Sequence, residues 1–430
     1  MRSDGDSTLD IRTTPQLAIT QWGRQSERQG VRDMAPISAS PALSHLRVLD
    51  LTRVRAGPAC CRVLADFGAD VIKIEAPSGV DPNEGISGPR HGYDMLNLHR
   101  NKRSLTLNLK TPTGLALFKR MVKKADVVVE NYRPDVKHRL GVSYEELRQV
   151  NPRIILASIS GFGQDGPYSK LPGFDQIAQG MGGLMWVTGL PGQGPVRAGA
   201  AVADISAGLY AAIGILIALA ERERSGVGQW VHTSLLQAQI ALLDFQAARY
   251  LVDKVVPEQA GNDHPYSTPM GVFQTRDGYI NLGVGGDGQW RSLCEVLGRA
   301  ELGTDERFAT VEARYRNRPQ VRSLIEPLFL ERTSAEWLRA LAEAGVPAGP
   351  IYKMDEVFAD PQVQHLKMAV PCAHPARGDV ELVGQPLVLS RTPAQIKEPA
   401  PDKGEHTDEI LAEFGLSAAE IERLRSERVI

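Results

Sequence analysis

The sequence predicts an α/β fold: a mainly parallel, Rossmann-like sheet in a large domain, joined to a smaller α+β domain. Three observations carry that prediction. From Leu46 onward short aliphatic runs alternate with helical stretches, the pattern of β-α-β units with helices on both faces of a sheet. A long, almost wholly apolar helix then follows Asp204. After Gly226 the pattern changes to a hairpin and amphipathic helices, which marks a second, mixed region.

In chain order, residues 1–43 are polar and irregular, without the apolar core of a signal peptide. They are expected to be disordered, with Met34 a candidate start. Val48–Leu51 reads as a strand and Pro58–Phe67 as a helix ended by Gly68. Val71–Glu75 is a second strand, stopped by Ala76-Pro77. Ser104–Leu109, Asp126–Glu130 and Arg153–Ser158 read as further strands, with the helix Gly114–Lys124 between two of them.

The run Arg197–Gly226 organises the rest. Small residues from Ala198 to Ala203 deliver a single acid, Asp204, to the start of the apolar helix. Ile205, Leu209, Ile213, Leu216 and Ala220 recur at three- and four-residue steps, so this face is expected to be buried. Asp204 has two readings, a helix cap that accepts the first free N–H groups or a reactive carboxylate in the open space that its small neighbours leave. Beyond it, Gln229–Ser234 suggests a strand and Leu235–Leu251 a long apolar helix. A hairpin follows over 271–280 with its turn at Asp277-Gly278. Helices are expected near Gln289–Leu297, Gln320–Phe329 and Ser334–Ala344, and in the tail at Asp408–Phe414 and Ala418–Arg425. The expected division is 44–224 for the first part of the large domain, 225–332 for the small domain, and 333–430 returning to the large one.

Composition bounds the function. The chain has 430 residues, 42% hydrophobic, with a net charge of −2, as in a globular enzyme rather than a general nucleic-acid binder. The four cysteines lack metal-type spacing, which fits a reducing cytoplasm. The longest apolar run, Leu209–Ala220, is too short to span a bilayer. A dinucleotide enzyme is the fold-level alternative, because Glu75 ends the second strand where such folds place a ribose-binding acid. However, the first turn, Arg55-Ala56-Gly57-Pro58, lacks the glycine fingerprint. GxGxxG occurs at Gly161–Gly166, which runs into Pro167, and at Gly283–Gly288, which precedes a helix without a following β-α-β unit.

Seven segments in order resemble the class III coenzyme A transferases, the formyl-CoA–oxalate and carnitine CoA-transferase group. They are LRVLDLTRVRAGPACCRVLADFGADVIKIEAP, NKRSLTLNLKTPTG, ADVVVENYRP, ILASISGFGQDGPY, AVADISAGLYAAIGILIALAERERSGVGQ, GVPAGPIYKMDEVFADPQV and GEHTDEILAEFGLS. The resemblance runs from about Leu46 to Ile430. It implies an acyl-CoA:carboxylate CoA-transferase with Asp204 as nucleophile, Asp175 as a nearby acid, and Gly283–Gly288, with Gly285 and Gly286 at its centre, as a mobile lid. It implies CoA contacts at Val54, Arg55 and Ala56, along Leu107, Asn108 and Lys110, at Asn131, Tyr132 and Arg133, and at Arg139. Arg103 is a further candidate for phosphate pairing. CoA would be a substrate rather than a resident cofactor, the other partner a small organic acid, and no metal is required. An interlocked homodimer is also implied. Arg55 stands where the formate–oxalate enzymes carry glutamine near the acyl group, and Ala76 where they carry arginine near the nucleotide. Arg55 would therefore meet either a second substrate carboxylate or a CoA phosphate. The 2-methylacyl-CoA racemases share the fold but need a histidine where this chain has Phe174, which cannot move a proton.

Overall fold

The structure, a computed structural model, describes residues 38–82 and 84–430. Most of the expected extension, including Met34, lies outside the described residues. Its last residues belong to the fold: Ala39 and Ser40 are buried, and the Leu43 N–H donates to the Phe67 carbonyl at 2.9 Å.

Six parallel strands form the main sheet. They are β1 (Arg47–Asp50), β2 (Asp70–Glu75), β3 (Lys102–Thr106), β4 (Val127–Glu130), β5 (Ile155–Ser160) and β6 (Trp230–Ser234), in the spatial order β3-β2-β1-β4-β5-β6. Runs such as VVVE in β4 form strands because β-branched side chains fit a pleated surface covered on both sides. Helix α1 (Ala56–Asp66) packs against one face, and α3 (Pro112–Val122) against the other. Between them in sequence lies the short α2 (Tyr93–His99). The chain winds outward from β1 in one direction and from β4 in the other, and the switch point between them, beyond the carboxyl ends of the strands, is where open sheets of this kind bind ligands.

After β4 come α4 (Pro134–Leu140) and α5 (Tyr144–Val150), and after β5 come α6 (Asp175–Met181) and α7 (Leu184–Val187). Helix α8 (Val202–Ser225) is the longest element, and by length and composition alone it could cross a membrane. In this fold its alanine face lies against α1 and the sheet. The buried face differs from the one the sequence suggests. Ala203, Ala207, Ala211, Ile215 and Ala218 are buried, whereas Leu209 (44%), Ile213 (51%) and Leu216 (40%) are exposed. Small side chains win the inner face because the backbones approach so closely. A Cβ on Gly208 would lie 2.4 Å from the Ala56 carbonyl oxygen, and one on Gly214 would lie 2.6 Å from Val231.

Three further boundaries shift. Trp230–Ser234 pairs with β5 and completes the main sheet, so that sheet extends past residue 224. The expected helix over 235–251 is broken into α9 (Leu235–Leu242) and α10 (Phe245–Asp253) at Asp244, whose φ of 42° departs from helical geometry. A separate core around Trp290, Phe308 and Trp337 runs from 273 to 346, beyond the expected limit at 332. It covers the antiparallel sheet of β7 (Met270–Gln274), β8 (Tyr279–Gly283) and β9 (Ala348–Pro350). The hairpin of β10 (Ala369–His374) and β11 (Gly378–Val383) follows, and the last helices, Thr407–Glu413 and Ala418–Ser426, return to the main sheet through Ile410, Phe414 and Leu424.

Candidate active site

The starts of α6 and α8 meet. Asp175, the first residue of α6, is buried and spans both. Its Oδ1 accepts the Ala203 N–H at 2.9 Å and the Asp204 N–H at 3.3 Å, so Asp175 caps the free N–H groups of α8 across the sequence. Its Oδ2 accepts from Gln179 Nε2 at 2.7 Å, and Arg197 stands 3.7 Å away. Gln179, fully buried, also donates to the Ala200 carbonyl and accepts the Ala198 N–H. The small-residue run before α8 is thereby held at both ends. Close backbone approach makes this arrangement possible: a Cβ on Gly161 would lie 2.8 Å from the Gly173 Cα.

Asp204 is the third residue of α8 rather than its cap, which corrects the capping reading. Its carboxylate is partly buried, and no hydrogen bond or ion pair holds it among the described residues. Burial, then the neighbouring Asp175 carboxylate, push its pKa up from the ordinary 3.8 to about 6, while the Arg55 guanidinium pulls the other way. Ionised and unpartnered above pH 6, the group can act as a nucleophile.

Arg55 precedes α1, and the missing side chain at Gly208 lets α1 reach α8 one turn from Asp204. Its Nη2 donates to Asp94 Oδ2 at 2.6 Å. Its remaining donors have no partner among the described residues. The loop carrying Val54, Arg55 and Ala56 is tightly fixed. Asn131 accepts the Arg53 N–H and donates to the Arg53 carbonyl, both at 2.8 Å. Asp50 accepts from the Thr52 N–H and hydroxyl, Lys73 donates to the Thr52 carbonyl, and Lys102 pairs with Asp50 at 2.9 Å. Val54 has a φ of 61°, a strained conformation for a β-branched residue that this surrounding network holds in place.

The other expected contact residues divide. Leu107, Asn108 and Lys110 follow β3, and Asn131, Tyr132 and Arg133 follow β4, all at the carboxyl edge of the sheet. Lys110 and Arg133 are exposed and weakly engaged, Lys110 with the Val80 carbonyl at 3.4 Å and Arg133 with Asp135 at 3.8 Å. Arg139, exposed on the last turn of α4, pairs with Asp135 at 3.2 Å. Arg103 does not join them. It is 2% exposed and consumed by Asp70, Glu409 and Glu413, which corrects its assignment to phosphate. Glu75 is likewise held by Arg90 and Ser104. The segment Gly283–Gly288 lies in the antiparallel region, where Gly285 and Gly286 donate to Gln289 Oε1 and Asp287 pairs with Arg314. None of its hydrogen bonds among the described residues reaches Asp204. Added Cβ atoms on Gly286 and Gly288 would meet nothing within 4 Å, so an open surface faces these glycines.

Two residues escaped sequence reading. Gln179 sits four positions after Asp175 on one helix face, a spacing that allows their hydrogen bond. Asp94 gave no such signal, since 39 residues separate it from Arg55.

A doubly wound sheet, and a carboxylate without a partner among the described residues at the start of a helix packed against it, are the features of an α/β enzyme. The chain belongs to CoA-transferase family III, which matches residues 43–407. It is 43% identical to a succinate–glutarate CoA-transferase of Agrobacterium fabrum, over 87% of this chain and 96% of that protein. It is 37% identical to an acetyl-CoA:oxalate CoA-transferase of Acetobacter aceti, over 83% and 92%. Among solved structures, a CaiB/BaiF family protein from Brucella suis superposes with a TM-score of 0.76 at 38% identity, covering 87% of this chain and all of that one. The protein is therefore a class III CoA-transferase, moving CoA between an acyl-CoA and a carboxylate.

Proposed function

We propose that Asp204 carries the transfer covalently and that the acids exchanged are dicarboxylates. A carboxylate acceptor is a weak nucleophile towards a thioester, so a protein carboxylate divides the reaction. An Asp204 oxygen attacks the thioester carbonyl, the C–S bond breaks, and CoA leaves as thiolate from a mixed anhydride. The thiolate attacks the aspartyl carbonyl and the donor acid departs as carboxylate, leaving an aspartyl-CoA thioester. The acceptor carboxylate then attacks that thioester and releases thiolate, which attacks the acceptor's acyl carbonyl and frees Asp204. Each bond broken is replaced, with no net change in protons or electrons. The observation that carries this reading is a helix-borne carboxylate with no partner among the described residues, its pKa raised to about 6 by burial and by Asp175 against the pull of Arg55.

Arg55 favours a diacid, because a guanidinium with free donors matches a second carboxylate in a bidentate pair. Relatives named succinyl-CoA:glutarate and succinyl-CoA–D-citramalate CoA-transferase support the same class. CoA would lie along the loops after β1, β3 and β4, and the open glycines at 285–288 would close over the anhydride to exclude water. The exposed aliphatic face of α8 and α10, with Ile217, Leu251 and Val252, supports a homodimer; sedimentation giving only a monomer at micromolar concentration would refute it. Free, buried Cys60, Cys61, Cys294 and Cys372 support a cytoplasmic setting. The chemical test is a hydroxylamine trap during turnover with succinyl-CoA and glutarate. Modification should fall on Asp204 alone, and an adduct on Asp175 instead would overturn the assignment.

A further inference from the structure

Arg55 is bound to one acid, and its charge acts on a second. Asp94, in the first turn of α2, holds Nη2 at 2.6 Å, and both side chains are about one-third exposed. A Cβ on Gly208, one helical turn after Asp204, would lie 2.4 Å from the carbonyl oxygen of Ala56, the residue next to Arg55, and the Arg55 charge acts on the Asp204 carboxylate, which has no partner among the described residues. The groups acting on this pair of charges are Asp94 from α2, Asp204 from α8, Asp175 from α6 and Arg62 from α1 itself. A guanidinium released from Asp94 would be drawn towards the Asp204 carboxylate, and pairing with it would lower the basicity of the nucleophile and occupy the free donors.

We propose that Asp94 is a specificity-determining positioning residue: it holds Arg55 off Asp204 and keeps the remaining guanidinium donors open for the free carboxylate of a dicarboxylyl group. This rests on the reading of Arg55 as the diacid receptor. The role suits an acid at a helix start, where the local N–H groups stabilise the charge that restrains Arg55. It also explains why the ion pair spans two elements that share no other polar contact at this point.

The experiment compares kcat/KM for glutarate and valerate, matched five-carbon acids, with saturating succinyl-CoA. Asp94→Asn should lower the glutarate-to-valerate ratio at least tenfold and move the acid limb of the rate profile below pH 6. Asp94→Glu should restore most of the ratio. Arg55→Gln should lower the ratio as well, and the double variant should behave as Arg55→Gln alone. If Arg55→Gln changes the ratio while Asp94→Asn, folded by circular dichroism, leaves both ratio and acid limb in place, the role of Asp94 is overturned and that of Arg55 stands. If Arg55→Gln leaves the ratio unchanged, the diacid reading itself falls.

Discussion

The start of α6 and the start of α8 each carry an aspartate, and they are treated in opposite ways. Asp175 is saturated: it accepts from Gln179, Ala203 and Asp204 and stands near Arg197. Asp204 accepts from nothing among the described residues. The difference separates a group that holds structure from one left free to react. A paired carboxylate has its lone pairs committed and its charge stabilised. An attacking one needs both available.

Exchanging the two treatments should give effects of very different size. Asp204→Asn removes the proposed nucleophile, and transfer should fall by about 10⁴-fold or more in steady-state assays. The same variant should gain stability. A rise from 3.8 to about 6 means that the fold disfavours the charged form. The stability cost is absent below the unfolded pKa and complete above the folded one. It corresponds to at most about 3 kcal/mol, less with partial exposure. Melting curves should show the Asn variant more stable than the wild type at pH 8 and nearly equal at pH 4; equal curves at pH 8 would contradict the buried charge.

Asp175→Asn keeps an acceptor for the helix N–H groups but removes a negative neighbour. The acid limb of kcat/KM, expected near pH 6 in the wild type, should move to lower pH, with a rate loss of roughly tenfold from imperfect positioning. An unmoved limb would mean that Asp175 acts only through hydrogen bonds. Gly208→Ala places a methyl group 2.4 Å from a carbonyl oxygen that cannot retreat as a side chain could. It should cost about 1 to 3 kcal/mol by denaturant titration and loosen Arg55. The smallest effect concerns the lid. Gly285→Pro should raise the share of acyl-CoA lost to hydrolysis by a few-fold, and unchanged partitioning would remove the segment from the mechanism.

Much of this was legible in the sequence. Parallel strands covered on both faces read as unbroken aliphatic runs, so Val71–Glu75 and Asp126–Glu130 identify themselves within a residue. Asp204 and Asp175 were found through motif resemblance, and the structure brings them together. Orientation was not legible. On α8 the large aliphatic residues suggested the inner face, but close approach to α1 selects alanine, and only the tertiary contact says so. Arg103 looked like a phosphate ligand because its partners Glu409 and Glu413 lie some three hundred residues away in sequence. Asp244 breaks a helix without glycine or proline to announce it.

The closure of the main sheet by the end of the chain constrains its synthesis. The layer around Phe118 and Val128 is sealed by Ile410, Phe414, Ile421 and Val429, the Asn108 N–H pairs with the Val429 carbonyl at 2.7 Å, and buried Arg103 awaits Glu413. While the ribosome is still translating, the nascent sheet holds an uncovered apolar layer and an arginine paired with Asp70 but not yet with Glu409 and Glu413. Its first five strands emerge long before these seals. Such a half-built domain exposes the kind of surface that chaperones bind. Native structure is completed only after the distant end docks, so a nonsense change near residue 405 should yield aggregates rather than a weakened enzyme.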